Sequence, residues 1–302
     1  MAKVVCVGEA MLELSSRDGD WRLGYGGDTL NTAIHFARLG HQVSYFTAVG
    51  SDPLSEGLRK RLEDEGLDCS LVLAHPSRHA GLYAISTDKV GERSFTYWRE
   101  ASAAREMFAL PGSGDAAVRA AQCDLLYFSL ISLAILPAEG RRVLFDLVAR
   151  ARQNGAGIGF DSNYRARLWD SADSARVQRD RAISLSDFGL PTLDDEIALS
   201  GAADAETVAS YWAELGCAEC LVKLGAAGCR LPDGVTMAPA QELASIDTSG
   251  AGDAFNAGYL SSRLNGVDPT SSAKTAHLIA GWTIMRPGAI PPRDSEYPSL
   301  NQ

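Results

Sequence analysis

The residues best suited to chemistry stand close together near the C-terminus. In "DTSGAGDAFNAGYL" (247–260), Gly250-Ala251-Gly252 precede Asp253 where a turn of small residues passes into an apolar helix. A helix start leaves backbone N–H groups unpaired and carries the positive end of the helix dipole. Small residues let an anion approach that backbone closely. The stretch therefore offers an anion a seat and holds a carboxylate beside it. That pairing fits a phosphate on the backbone and an acid, Asp253, that takes a proton from a neighbouring group. A plain capping role for Asp253 is the alternative. Asp247, Thr248 and Ser249 already supply capping chemistry just upstream.

Three further stretches carry polar groups in useful patterns. In "GYGGDTLNT" (24–32), Gly26 and Gly27 precede Asp28, with Asn31 in the first helical turn. This is either a glycine turn with an Asp cap or a loop that approaches a polyhydroxylated ligand, with Asp28 and Asn31 accepting and donating hydrogen bonds. Tyr83, Tyr97, Trp98 and Arg99 form an aromatic and basic group. Tyr97 and Arg99 share one strand face, where they can stack on and hold a small anion. "FDSNYRARLW" (160–169) follows a strand and gathers Asp161, Asn163, Arg165, Arg167 and Trp169. Arginine is the usual bidentate partner of a carboxylate. A solvated loop explains these charges but not their position at a strand end.

The elements that must position these residues alternate. Short apolar runs at 3–8, 42–50, 123–129, 155–161, 187–192 and 219–225 read as strands. Helical patterns at 29–40, 53–66, about 138–153, 205–215, 252–264 and 270–285 separate or follow them. Apolar strands between helices predict a doubly wound, mainly parallel α/β sheet covered on both faces. Ligands bind at the strand ends of such sheets. Two stretches, about 11–27 and 81–100, alternate polar and apolar residues instead, and "STDKVGERS" (86–94) reads as a hairpin turn. They predict a small β lid over the strand ends, within one domain spanning residues 1–302.

Composition narrows the function. The chain has 302 residues, 46% apolar, with a formal net charge of −10. That is ample for one large core. An acidic surface without a basic run disfavours nucleic acid and anionic membranes as partners. The apolar stretch at 125–136 is too short to span a bilayer. The N-terminal "MAKVVCVGEAMLEL" lacks the pattern of a signal peptide, so a soluble cytoplasmic protein is expected. Six scattered cysteines include Cys217-Ala-Glu-Cys220, but no second ligand pair accompanies it, and reduced structural thiols are expected. No P-loop and no well-placed dinucleotide fingerprint is present.

Together these motifs resemble a known family. "DTSGAGDAFNAGYL" is similar to the C-terminal signature of the ribokinase-like (PfkB-type) carbohydrate kinases, and "GGDTLNTAIHFARLG" to their N-terminal glycine signature. The resemblance runs from "VVCVGE" (4–9) to "RPGAI" (286–290), in the family's order. Within the family, "GYGGDTLNT", "GERSFTYWRE" (91–100), "SLISLAIL" (129–136), "FDSNYRARLW" and "TLDDE" (192–196) resemble the bacterial kinases of 2-keto-3-deoxygluconate.

The resemblance implies a ribokinase-like fold and transfer of the γ-phosphoryl of ATP to O6 of that sugar acid. Kinases of other sugars, such as fructose or 2-keto-gluconate, and a non-catalytic sugar-acid or nucleotide sensor are the alternatives. Asp253 would be the base, and backbone N–H groups at Gly250, Ala251 and Gly252 would stabilise the moving phosphoryl. Gly27, Asp28 and Asn31 would hold hydroxyls. Arg99 and Arg165, with Tyr83 and Tyr97 beside them, would hold the substrate carboxylate. "VKLGAAG" (222–228) matches the family's phosphate and ribose loop, which implicates Lys223, Gly225 and Gly228. Asn256 and His277 are candidates for the adenine pocket. The family's N-x-x-E motif, tied to Mg²⁺, is matched to Leu193-Asp194-Asp195-Glu196, which keeps the Glu but not the Asn. Glu196 would then act on the metal through water. Many relatives bind a monovalent cation beside the segment that here holds Asp247 and Ser249. The two-faced lid strands suggest a homo-oligomer formed through the lid.

Overall fold

The computed structural model describes residues 1–17, 20–87 and 93–299. The chain begins with β1 (Lys3–Val7), then β2 (Met11–Arg17) and β3 (Asp20–Gly26). Helix α1 (Asp28–Arg38), β4 (Gln42–Val49), α2 (Pro53–Asp64) and β5 (Val72–Ala74) follow. Next come β6 (Gly81–Thr87), β7 (Arg93–Trp98), α3 (Ser113–Ala120) and β8 (Leu125–Ser129). Then come α4 (Leu130–Ile135), α5 (Ala138–Gln153), β9 (Gly157–Asp161), α6 (Ala172–Leu185), β10 (Phe188–Gly189), α7 (Leu193–Ser200) and α8 (Ala205–Glu214). The short strands β11 (Glu219–Cys220), β12 (Val222–Lys223), β13 (Cys229–Arg230) and β14 (Thr236–Met237) lead to α9 (Ala251–Leu264) and α10 (Pro269–Ile284).

Seven strands form the main sheet in the order β11-β10-β9-β8-β1-β4-β5, and every pairing is parallel. Strand alternation sends Val5, Val7, Leu126 and Phe128 to one face, with Leu144 and Phe145 of α5 and Trp212 of α8. Val4, Cys6, Leu125 and Tyr127 point to the other face, with Leu30 of α1 and Tyr259 of α9. The expected doubly wound, mainly parallel sheet is thus present. The alternating stretches form the small second sheet, in the order β3-β2-β6-β7. Part of the expected 86–94 turn, residues 88–92, lies outside the described residues. Among the described residues, no helix is long and apolar enough to cross a membrane.

The small sheet has two distinct faces. Tyr83, Phe95, Tyr97 and Arg99 face the space over the main strand ends. Trp21, Leu23 and Trp98, on the opposite face, stay exposed.

The short elements α3, α4, α7, β5, β13 and β14 have no counterpart in the sequence reading, and three further regions differ from it. The helix over 172–185 was not expected, because its buried positions are mostly small or charged: Ala175, Arg179, Ala182 and Ile183. The predicted strand 187–192 shortens to Phe188–Gly189. The predicted strand 219–225 divides: β11 closes the edge of the main sheet, and β12 turns into a three-stranded antiparallel sheet with β13 and β14.

Helices α9 and α10 pack most closely where Gly258 faces Ala276. A Cβ added at Gly258 would lie 2.8 Å from the Ala276 Cα and 3.1 Å from Ile279 Cγ1. Backbone cannot yield as a flexible side chain does. Gly258→Val should therefore lower stability by about 1–3 kcal/mol through overpacking. A urea unfolding midpoint equal to wild type would contradict that packing.

Candidate active site

The strand ends and the small sheet enclose a cleft of about 1410 Å³. Its floor is built from residues at or just beyond strand and helix ends. Asp161 is the last residue of β9, Asp28 opens α1, and Asp253 lies in the first turn of α9. Gly250 caps α9 in a left-handed conformation, φ 72°. A Cβ there would lie 2.6 Å from the Ala289 carbonyl oxygen, so both its φ and its neighbour require glycine. Gly27 is similarly constrained: its φ is 142°, and a Cβ would lie 2.2 Å from the Glu9 carbonyl oxygen.

The expected anion seat is only partly open. The Ala251 N–H donates to the Thr248 carbonyl at 3.3 Å, and the Ala254 N–H to the Gly250 carbonyl at 2.9 Å. Helix geometry therefore leaves the amides of Gly252 and Asp253 as the first-turn donors without such a partner. The Lys223 Nζ lies 3.6 Å from where a Gly252 Cβ would stand, so an ammonium flanks this helix start.

A polar network ties the floor together. Asn31 Nδ2 donates to Asp253 Oδ2 at 2.8 Å. The remaining Asn31 oxygen is buried with no hydrogen-bond partner, on a residue that lines the cleft. Asp28 accepts from Ser129 Oγ and from Asn163 Nδ2 at 3.1 Å. Asp161 accepts from Lys223 Nζ at 2.8 Å and from Asn256 Nδ2 at 2.7 Å. Burial chiefly, and then the like charges of Asp28 and Asp161, push the Asp253 carboxyl up to about 8. The Asn31 hydrogen bond and Lys223 oppose that shift without cancelling it. Asp253 is half-buried and open to the cleft, so water reaches it until a ligand fills the space.

Another part of the cleft wall is aromatic and cationic. Tyr83 stacks on Tyr97 at 5.7 Å between ring centroids, and its hydroxyl donates to Glu13. Burial and then Glu13 hold the Tyr83 hydroxyl well above its usual range. Arg99 and Glu9 form a buried ion pair, with Arg99 Nε 2.9 Å from Glu9 Oε2. Arg165 donates to Asp195 at 3.1 Å and to the Tyr164 carbonyl at 2.6 Å. Arg167 sits over Tyr97, its guanidinium carbon 3.5 Å from the ring centroid.

Most expected site residues thus face one cleft: Gly27, Asp28, Asn31, Tyr83, Tyr97, Arg99, Arg165, Lys223, Asp247, Ser249, Gly250, Ala251, Gly252 and Asp253. Gly225, Gly228 and His277 stand outside it. Gly225 and Gly228 form the turn between β12 and β13, and His277 packs against Phe255 and Cys229. Two expectations need correction. Asn256 is no wall residue: it is buried, and its amide donates to Asp161 and Tyr127 below the floor. Glu196 is buried in an ion pair with Arg179 at 2.7 Å and does not reach the cleft. The cleft-facing pair with the same spacing lies one residue earlier, at Thr192 and Asp195. Burial, and then Asp161, raise the Asp195 carboxyl against the pull of Arg165 and Lys223. The sequence reading gave no role to Glu9, Ser129 or Asp195, and it gathered Asp161 with the polar residues after β9 without assigning it a partner. Asp161 was signalled by its place at the end of an apolar strand.

Residues 1–296 match the model of the pfkB family of carbohydrate kinases. The chain is 40% identical to the 2-dehydro-3-deoxygluconokinase of Escherichia coli K12, covering 97% of this chain and 98% of that protein. It is 37% identical to the enzyme of the same name from Dickeya dadantii, with 97% of each chain covered. It also superposes on a fructokinase double mutant from Vibrio cholerae O395, solved with fructose, ADP and potassium ion. That structure gives a TM-score of 0.83 at 24% identity and covers 100% of this chain and 96% of its own.

The raised carboxyl of Asp253 has a consequence for stability. Its folded value of about 8 lies above its ordinary 3.8, so between them the folded state binds more protons than the unfolded one. Stability should then fall as pH rises through that window. Asp253→Asn removes the ionisation and keeps an acceptor for Asn31. Its melting temperature relative to wild type should rise by a few degrees between about pH 5 and about pH 9. A constant difference across that range would show that the carboxyl titrates normally.

Proposed function

Because the chain belongs to the pfkB family of carbohydrate kinases, we propose that it transfers the γ-phosphoryl of ATP to O6 of 2-keto-3-deoxy-D-gluconate. The product is the 6-phosphate, and ADP leaves. The observation that carries this reading is one cleft that holds both an acid beside a helix start and arginines on an aromatic wall. A linear sugar acid has the matching groups: a hydroxyl to phosphorylate and a carboxylate to recognise.

In this reading the O6 hydroxyl attacks the γ-phosphorus as the bond to the β-bridging oxygen breaks. Asp253 accepts the hydroxyl proton, and the amides at the start of α9 and the Lys223 ammonium face the charge on the transferring group. Asn31 holds the Asp253 carboxylate, and its open oxygen accepts from a substrate hydroxyl. Gly27 and Asp28 approach the remaining hydroxyls. Arg165 and Arg99 lie towards the carboxylate end. Arg99 Nε and Nη2 already donate to Glu9, so it contributes through its remaining donors.

Magnesium, bound with ATP, would offset charge on the phosphates. The cleft-facing Asp195 offers carboxylate oxygen to a hard cation, whereas Glu196, buried against Arg179, does not reach the cleft. Gly225, Gly228 and His277, outside the cleft, remain the candidates for contact with the ribose and base of the nucleotide. Asp247 accepts from the Ser249 and Gly288 N–H groups and so ties together two cleft loops. With Ser249 it is the candidate holder of a monovalent cation. ATP and six unpaired cysteines fit a cytoplasmic setting. The small sheet acts as the lid of a single catalytic unit, and its exposed apolar face pairs with a second copy of the chain.

A coupled ADP-release assay with Mg·ATP tests the reaction. Turnover is expected on 2-keto-3-deoxygluconate and not on ribose. Asp253→Asn should lower kcat by about 10²–10⁴-fold, the usual contribution of a general base, with little change in KM. The kcat/KM of the wild type should fall on the acid side with an apparent pKa near 8. Turnover on fructose alone, or near-normal kcat in the variant, would overturn the substrate or the role of Asp253. Light scattering should give twice the chain mass, and Trp98→Glu should give the monomer. A monomeric wild type removes the lid contact.

A further inference from the structure

The wall at the carboxylate end contains several arginines, but they are not equivalent. The cleft is rich in acids: Glu9, Glu13, Asp28, Asp161, Asp195 and Asp253 all line it. An anionic group binds most favourably where positive charge is not already neutralised. Arg99 is paired with Glu9, Lys223 with Asp161, and Arg165, through Nη1, with Asp195. Among the described residues, Arg167 has no hydrogen bond and no carboxylate partner. Arg22 also lacks one, but it lies on β3, the edge strand farthest from Tyr97 in the order β3-β2-β6-β7.

We propose that Arg167, seated over Tyr97, is the specificity-determining residue that reads the carboxylate of the substrate. This rests on the reaction proposed above. Stacking uses the face of a guanidinium and leaves its N–H donors free in the plane. Those donors form the rigid fork that matches a carboxylate. The seat is itself held: Tyr97 stacks between Tyr83, at 5.7 Å, and Phe95, at 6.3 Å. Arg167 comes from the loop after β9, whereas Tyr97 comes from the lid. The reader is thus assembled where core and lid meet, and Tyr97 is its positioning residue. Arg167 is exposed on its loop, so its removal leaves the core intact.

Steady-state kinetics on 2-keto-3-deoxygluconate and on fructose test this, with melting temperatures to check folding. Arg167→Ala should raise KM for the acid about tenfold or more, as expected for a lost charged hydrogen bond, with kcat nearly unchanged. Any residual turnover of fructose should keep its KM. Arg167→Lys should recover only part of the affinity, because a point charge lacks the fork. Tyr97→Leu should raise KM for the acid, and Tyr97→Phe, which keeps the ring, should restore most of it. A folded Arg167→Ala with an unchanged KM on an active wild type overturns the role of Arg167 alone. A wild type that turns over fructose and not the acid overturns the proposed reaction, and this inference with it.

Discussion

Three carboxylates, Asp28, Asp161 and Asp253, share the floor of one cleft with the Lys223 ammonium. Like charges so placed repel, and their removal from bulk water adds to the cost. Each is therefore tied: Asp28 to Ser129 and Asn163, Asp161 to Lys223 and Asn256, Asp253 to Asn31. The compensation is unequal. Asp253 has the weakest support and holds its proton to about 8. A site that needs one proton acceptor among several acids needs that inequality.

The backbone around this cluster is shaped by the same demand. Parallel strands bring their last residues to one edge of the sheet, so β9 and the turn after β1 deliver Asp161 and Glu9 without long loops. Gly27 and Gly250 let the chain turn where a side chain would strike a carbonyl. Helix α9, which carries Asp253 in its first turn, seats closely against α10 through Gly258.

The lid has a different electrostatic logic. Glu9 and Arg99 form a buried pair between the core and the end of β7. Removing either partner would leave an unpaired buried charge, which is strongly destabilising. Their attraction ties the end of the lid strand β7 to the turn after β1. It also ties up two of the Arg99 nitrogens, so recognition of an anion shifts towards residues whose charge is not already matched.

How much was legible in the sequence varies with range. The parallel sheet was, because buried strands read as apolar runs at close spacing. The seat at 250–253 was, because small residues, a helix start and an acid are neighbours in the chain. Helix α6 was not: its buried positions include Arg179, and charge suppresses an apolar stripe. Nor was the frame at 192–196, where only the turn into α7 decides that Asp195 faces the cleft and Glu196 faces Arg179. Asn256 looked free for a ligand because its partners, Asp161 and Tyr127, lie 95 and 129 residues away. Local geometry and residue type are written in the chain itself, so the sequence alone determined the sheet, the anion seat and the inventory of acids and arginines. Which acid meets which base depends on contacts such as Asn31 to Asp253, 222 residues apart. Only the tertiary structure decided those pairings, because Coulomb and hydrogen-bond energies depend on distance in space and not along the chain.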